Sequence, residues 1–107
     1  MGVNMKKVSN VRLQLEVNGE PVCISGIDSF GVLNAIIGWV KRNPEAFDPA
    51  KLKHHTAASF GQEELNVEFG GLDSDTERHY LWHRQDLKVG DVVTVRILGP
   101  GEADDPK

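Results

Sequence analysis

Apolar and polar residues alternate along the first part of the chain. Every second residue from Val11 to Val17 is apolar, and the residues between them are arginine, glutamine and glutamate. This two-residue period is typical of a strand with one buried face. Asn18-Gly19 follows directly, and this dipeptide accepts the positive φ angles of a two-residue hairpin turn. Residues 9–27 are therefore predicted to form a β-hairpin.

The turn also predicts the register of this hairpin. With Asn18-Gly19 at the turn, Leu15 faces Val22 on the apolar side of the strand pair. On the other side, Gln14 faces Cys23. The sequence therefore predicts that the single cysteine lies on the polar face of the hairpin, where it is close to a glutamine side chain.

Residues 29–42, with the sequence SFGVLNAIIGWVKR, are interpreted as a helix. A capping residue precedes the segment, basic residues close it, and a proline shortly afterwards stops it. At 100° per residue, the apolar side chains cover about half of the helix circumference, which is more than one sheet face requires. The flank with Val32, Ile36 and Trp39 therefore needs a second cover, which the loop at residues 43–61 is expected to provide.

The segments that follow this loop alternate as well and predict three strands, at residues 64–69, 78–84 and 92–98. The order of elements is then hairpin, helix and three further strands. The expected fold is two-layer α+β, with a mixed or antiparallel sheet that is covered by one helix. In this interpretation residues 9–99 form a single domain between a flexible N-terminus at residues 1–8 and a flexible acidic C-terminus at residues 100–107.

Two segments resemble the β-grasp superfamily, which includes ubiquitin and the small sulfur-carrier proteins. VNGEPV at residues 17–22 is similar to the opening hairpin of the carriers, and LKVGDVVTVRI at residues 87–97 is similar to their last strand. The resemblance implies a β-grasp-like fold and a carrier whose C-terminal glycine carboxylate is activated. In this chain six residues follow Gly101, so the terminal glycine pair of that family is missing.

Composition narrows the classes of function. The chain has 107 residues, a net charge of −4 and scattered lysines and arginines, so we expect no nucleic-acid binding, which depends on clustered positive charge. Its longest apolar stretch, at residues 31–40, is about half the length of a bilayer-spanning helix, and we see no secretory leader. A single cysteine excludes an internal disulfide and is typical of a reducing compartment. The expected location is the cytoplasm, without membrane contact.

The histidines are candidates for metal binding. His79 and His83 share one face of the predicted strand, where Leu81 lies between them. A zinc site needs three or four ligands, so His54, Cys23 or an acidic residue would have to complete it. The alternative is that these are ordinary surface or half-buried histidines. We favour this alternative, and we expect no metal or other cofactor.

The segment HYLWHR carries residue types that are enriched at binding hot spots. If the leucine within it faces the core, Tyr80, Trp82 and Arg84 all point to solvent and form one surface. The opposite orientation buries both rings and exposes the two neighbouring histidines. Trp39, at the edge of the predicted helix, raises the same alternative. Tyr80, Trp82, Arg84 and Trp39 are therefore the predicted partner-binding residues.

These observations favour a small non-enzymatic domain that binds another protein through an exposed sheet face, as inhibitors, immunity proteins and adaptors do. Cys23 has no histidine nearby in the sequence to activate it, and the chain has no phosphate-binding glycine loop. A histidine-based metal-binding protein or metal-dependent enzyme is the alternative. A β-grasp carrier is the third hypothesis, which the missing terminal Gly-Gly disfavours.

Overall fold

The computed structural model describes residues 8–51, 56 and 61–107. In these residues the chain forms eight strands and one short 3-10 helix at Pro44–Ala46. The strands in chain order are β1 (Val8–Ser9), β2 (Arg12–Val17), β3 (Glu20–Gly26), β4 (Gly31–Val40), β5 (Glu64–Asp73), β6 (Arg78–Asp86), β7 (Val93–Leu98) and β8 (Gly101–Glu102).

The longer strands form two antiparallel sheets of three strands each. The first sheet has the order β3-β2-β7, and the second has the order β4-β5-β6. The short strands β1 and β8 form a separate antiparallel pair. The described part of the chain is therefore nearly all β, and the predicted α+β fold is wrong.

The segment predicted as a helix at residues 29–42 contains strand β4 instead. An unbroken apolar run fits a buried helix and a strand alike, so its period does not distinguish the two. β-branched residues and two glycines disfavour a helix in this run. Gly31 lies so close to β5 that an added Cβ would overlap the carbonyl group of Leu72. Without a covering helix, the two-layer α+β arrangement and the β-grasp-like fold are both wrong.

The predicted hairpin is present, but its register differs from the prediction. Asn18 and Gly19 form the turn, with φ angles of 52° and 80°. The pairing of β2 with β3 then shifts by one residue, so Leu15 lies opposite Cys23 rather than Val22. Because opposite residues share a face of the sheet, the cysteine lies on the buried face, and the prediction of a polar face is corrected.

The three strands predicted after the loop are confirmed as β5, β6 and β7. Asp73 ends β5 and organises the turn into β6, since its Oδ1 accepts the backbone N–H groups of Asp75 at 3.0 Å and Thr76 at 3.4 Å. In the loop at residues 43–61, residues 52–55 and 57–60 lie outside the described part. The covering role predicted for the loop therefore stays a prediction.

The core lies between the two sheets and is small. It is formed by the inward-facing residues of β2, β3, β5 and β6, together with partly buried neighbours. Burying each large apolar side chain contributes roughly 1.5–3 kcal/mol, so a core of this size leaves the folded state little reserve. The buried apolar residues are Leu15, Val17, Cys23, Val67, Phe69 and Trp82.

The C-terminal residues join the two sheets. The backbone N–H of Asp104 donates to the carbonyl of Ile24 in β3 at 2.9 Å, and its Oδ2 accepts the N–H of Ile24 at 2.8 Å. The carbonyl of Asp104 also accepts the indole N–H of Trp82 in β6 at 2.8 Å. Further on, the N–H of Lys107 donates to the carbonyl of Leu81 at 2.8 Å. The mobility and the domain boundary predicted for residues 100–107 stay predictions, but these residues have specific partners.

The molecule is elongated. Its radius of gyration is 17.6 Å and its extents are 62 × 33 × 18 Å. A compact domain of this length is expected to have a radius of gyration of about 13 Å. The two sheets therefore cover each other only in part, which leaves apolar side chains of β4 and β7 exposed.

We expect the change Asp104→Ala to lower the free energy of unfolding by about 1 kcal/mol, because it removes the carboxylate that accepts the Ile24 N–H. In a domain of this size, that loss corresponds to a melting temperature about 4–8 °C lower. The measurement is thermal unfolding followed by circular dichroism.

Asp105→Ala is the matched control for this change. It removes the same charge from the neighbouring exposed position and is expected to leave the melting temperature unchanged. Equal melting temperatures for the two variants would show that the carboxylate of Asp104 does not stabilise the contact between the tail and β3.

Candidate functional site

Strand β6 contains a β-bulge at the segment predicted to bind a partner. Phe69 of β5 lies opposite His83, whereas the next residue, Gly70, lies opposite Leu81. Trp82 is therefore an extra residue that has no direct partner in β5. Because side chains alternate between faces in a regular strand, this insertion reverses the alternation on either side of it.

The bulge separates the two candidate histidines. His79 lies opposite Leu72, and His83 lies opposite Phe69. Leu72 and Phe69 are an odd number of residues apart in the regular strand β5, so they point to opposite faces of the sheet. The prediction that His79 and His83 share a face is wrong for this reason.

The surroundings of the histidines offer no ligand set for a metal. The ring of His83 forms a hydrogen bond with Gln85, in which Nε2 and Oε1 are 2.9 Å apart. His54 and His55 lie outside the described residues. Within residues 8–51, 56 and 61–107, no three histidine, cysteine or acidic side chains are grouped closely enough to hold a metal ion.

In the same part of the chain, no helix is long and apolar enough to cross a membrane.

The aromatic residues of β6 belong to the core side of the sheet. Trp82 is only 3% exposed, and Tyr80 is half-buried against it, with the ring centroids 5.7 Å apart in an edge-to-face arrangement. Arg84 is exposed and lies opposite Glu68 on the other face. Of the two orientations that the sequence left open, the burial of the rings matches the second. The bulge also means that Arg84 does not share a face with Tyr80.

Trp39, the fourth predicted binding residue, is in a different environment. It lies near the end of β4 and is 61% exposed. Its neighbours are exposed apolar residues as well, and together they form what we call the β4 edge surface. This surface consists of Phe30, Val32, Ile36, Ile37, Trp39 and Val40.

The β4 edge surface is apolar on both faces of the sheet. Ile37 lies opposite the core residue Val67, which places it on the core-facing side. Val32 lies opposite Leu72 and therefore points to the other side. A strand with apolar residues on both faces is typical of the interior of a larger sheet or assembly, because a solvated face usually alternates with polar residues.

β4 is also an edge strand. It pairs with β5 on one side, and none of the described strands pairs with its other side. Its ten residues include neither a charged residue nor a proline, which are the usual features that keep exposed edges from pairing. Sequence reasoning identified Trp39 but missed Phe30 and Ile37. The unbroken, uncharged apolar run was the signal that could have revealed them.

The edge strand of the first sheet, β7, differs in each of these respects. It has only six residues and carries Arg96, whose Nε lies 3.3 Å from Oε1 of Glu16. Pro100 follows shortly after its end. A short edge with a charge and a nearby proline resists pairing with another strand.

Two surface cavities border β4. One has a volume of about 310 Å³ and lies beside its first residues, between Ile27 and Leu33. The other has a volume of about 350 Å³ and is lined by Asn34, Ile36 and His79, among others. Oδ1 of Asn34 is buried and has no hydrogen-bond donor among the described residues. The surroundings of β4 are therefore less completely packed than those of β5.

Cys23 is unsuited to act as a nucleophile. Burial raises the pKa of its thiol to about 11, with a further increase from the negative charge of Asp104. The thiolate is the nucleophilic form, so the side chain is almost entirely in the unreactive thiol form at neutral pH. Its role in this structure is to fill space in the core beside Leu15.

Comparisons of the chain with protein-family models, with curated proteins and with solved structures give no match.

We expect the folded protein to lose stability between pH 9 and pH 11 because of Cys23, whose thiol has a pKa of about 11 in the folded state against an ordinary value of 9.0. A raised pKa favours the protonated form on folding, so its contribution is fully present below pH 9 and is lost as the pH rises through 11. The measurement is the melting temperature across this range for the wild type and for Cys23→Ala.

The comparison isolates the thiol, because all other titrating groups are the same in both proteins. The variant is expected to melt at a lower temperature at neutral pH, since it leaves a small cavity. Its melting temperature should fall less steeply above pH 9 than that of the wild type. Parallel curves would show that the thiol of Cys23 is not protonated preferentially in the folded protein.

Proposed function

We propose that this chain is a non-enzymatic domain that binds another protein through the β4 edge surface. The observation that carries the proposal is the combination of an edge that pairs with none of the described strands and apolar side chains on both faces of one ten-residue strand. Exposed apolar patches of this kind mark protein–protein interaction sites.

The open backbone edge supports binding by strand addition. In this mode a partner strand pairs with the N–H and C=O groups of the edge, and side chains on both faces add specificity. The length of β4 offers a longer ladder than the six residues of β7. A partner strand on β4 would also cover Ile36 on one face and Ile37 on the other.

Trp39 is the proposed anchor of this surface. Tryptophan is the residue type most enriched at hot spots, and 61% of this side chain is exposed. The rings of Tyr80 and Trp82 support the core instead, and Arg84 lies on β6, away from the edge. The predicted partner-binding role is therefore proposed for Trp39 and not for the three residues of β6.

A binding role also agrees with the chemistry of the described side chains. The thiol of Cys23 is buried and protonated, and the two histidines of β6 point to opposite faces. Neither arrangement assembles a nucleophile with a base. The reduced, buried cysteine agrees with a cytoplasmic location, which we include in the proposal.

We expect Trp39→Ala to weaken partner binding about tenfold or more, because truncation of a hot-spot residue costs more than about 1.4 kcal/mol of binding free energy. The melting temperature should not fall, because an exposed side chain adds little to the stability of the fold. The measurement is capture by the tagged full chain from cells of the source organism, with quantification of co-purifying proteins by mass spectrometry and thermal unfolding in parallel.

Val89→Ala is the matched control, because Val89 is 94% exposed and lies in the turn before β7, outside the β4 edge surface. This variant should retain the same proteins as the wild type. If both variants retain them equally, the β4 edge surface is not the binding site. A large fall in the melting temperature of Trp39→Ala would instead assign Trp39 to the core.

A further inference from the structure

The hydrogen-bond ladder shows which backbone groups of β4 are open. The N–H of Ser74 donates to the carbonyl of Phe30 at 2.8 Å, which identifies these two residues as a hydrogen-bonded pair at the start of the ladder. Such pairs alternate along an antiparallel ladder, and β4 pairs with β5 without a bulge. Even-numbered residues of β4 therefore bond to β5. The residues that present N–H and C=O to the open side are Gly31, Leu33, Ala35, Ile37 and Trp39.

We propose that the partner at this edge is a second copy of the chain, with the two β4 strands paired antiparallel about a two-fold axis near Ile36. The inference rests on the proposed function, since it names the partner of the same surface. It joins the β4-β5-β6 sheet of one copy to the same sheet of the other copy, which gives one continuous sheet of six strands.

The open groups restrict how two copies pair. A ladder forms only where outward-pointing residues lie opposite each other, so odd-numbered residues must pair with odd-numbered residues. Opposite residues share a face of the sheet. The side of the sheet that carries Ile37 and Trp39 is then continuous with the same side of the second copy, and the core-facing surfaces of both copies form one surface.

The sequence of β4 complements itself in this arrangement. With Ile36 opposite its own copy, Leu33 lies opposite Trp39, and Val32 lies opposite Val40. Asn34, the one polar residue of the strand, lies opposite Gly38, where it meets no apolar side chain. Ala35 lies opposite Ile37, and Gly31 lies opposite Lys41 just beyond the strand. Apolar cross-strand pairs are the unit of sheet stabilisation. The outcome is a strand without a mismatched pair.

Charges at the ends of β4 favour the antiparallel orientation. Asp28 precedes the strand, and Lys41 and Arg42 follow it. In the antiparallel arrangement Lys41 of one copy adjoins the acidic start of the other, while Arg42 forms an ion pair with Glu64 of its own chain at 2.9 Å. Arg42 lies opposite Phe30 of the second copy, which is 80% exposed in the single chain, and the aliphatic part of the arginine side chain covers part of that ring. A parallel arrangement would bring like charges together at both ends.

Sedimentation of the full chain over a range of concentrations tests this inference, because it measures the state of association. We expect a concentration-dependent dimer for the wild type and a shift of the dimer midpoint by about tenfold or more for Ile36→Lys, because the two-fold axis places two like charges side by side. Ile97→Lys is the matched control, since Ile97 is an exposed isoleucine of the other edge strand. It should dimerise like the wild type.

Ala35→Pro tests the ladder itself. The N–H of Ala35 points to the open side, so a proline there removes a hydrogen bond of the dimer while it spares the pairing with β5. We expect a monomer with the circular dichroism spectrum of the wild type. Ile36→Pro, which removes a bond to β5, should unfold instead. A dimer that persists in folded Ala35→Pro would overturn the inference.

A disulfide tests the register. Two residues opposite each other at a non-hydrogen-bonded position have Cα atoms about 4.5 Å apart, within the range that a disulfide spans. Ile36→Cys is therefore expected to form a covalent dimer on mild oxidation. Ala35→Cys should not, because its two copies would be about 8 Å apart. The native Cys23 is buried and gives a low background.

The outcomes separate this inference from the proposed function. A wild type that stays monomeric overturns the dimer. If Trp39→Ala then still loses a captured protein, the β4 edge surface binds a different partner, and the proposed function stands. If the wild type is monomeric and Trp39→Ala captures the same proteins as Val89→Ala, both the dimer and the proposed function are overturned. A dimer that Ile97→Lys disrupts and Ile36→Lys does not would place the contact on β7 and overturn the inference.

Discussion

The packing of Trp82 between the two sheets is the contact on which the rest of the structure depends. Its ring is buried, and its indole N–H donates to the carbonyl of Asp104 at 2.8 Å. The ring reaches this position because the bulge in β6 turns it inward and because Gly71 leaves room, since an added Cβ there would lie 3.2 Å from it. Asp104 also binds Ile24 of β3. A three-stranded sheet with few buried residues has little stability alone, so joining the sheets at this point is what makes a fold.

The sequence predicted where the strands lie along the chain better than it predicted which face of the sheet each residue occupies. Regular alternation identified β2, β5, β6 and β7, and the Asn18-Gly19 dipeptide identified the turn. A bulge adds one residue to a strand without changing the type of residue at any position, so alternation does not reveal it. The two bulges moved Cys23 to the buried face and placed His79 and His83 on opposite faces. Both errors in the predicted sites come from this one limit.

The error at β4 has a different origin. A strand that is apolar on both faces lacks the two-residue period, and its length suits a helix equally well. Two glycines and several β-branched residues were the signals that favoured a strand. Of the four predicted binding residues, Trp39 alone belongs to the exposed surface that the structure reveals. The apolar flank that was expected to need a cover within the chain belongs to the β4 edge surface, which we propose as the site that binds another chain.

A comparison of the four sheet edges supports the choice of β4 as the proposed binding surface. In the described residues, the outer edges of β3 and β6 bond to the C-terminal tail through Ile24 and Leu81. β7 is short and carries the charge of Arg96. β4 is the longest of these edges and has neither a covering segment among the described residues nor a charge. Unprotected edges pair with other chains, so selection against aggregation would remove such a strand if it served no purpose. Three of the edges are protected and the longest is not, which supports a binding role for β4. The self-complementary order of its residues supports a second copy as the partner.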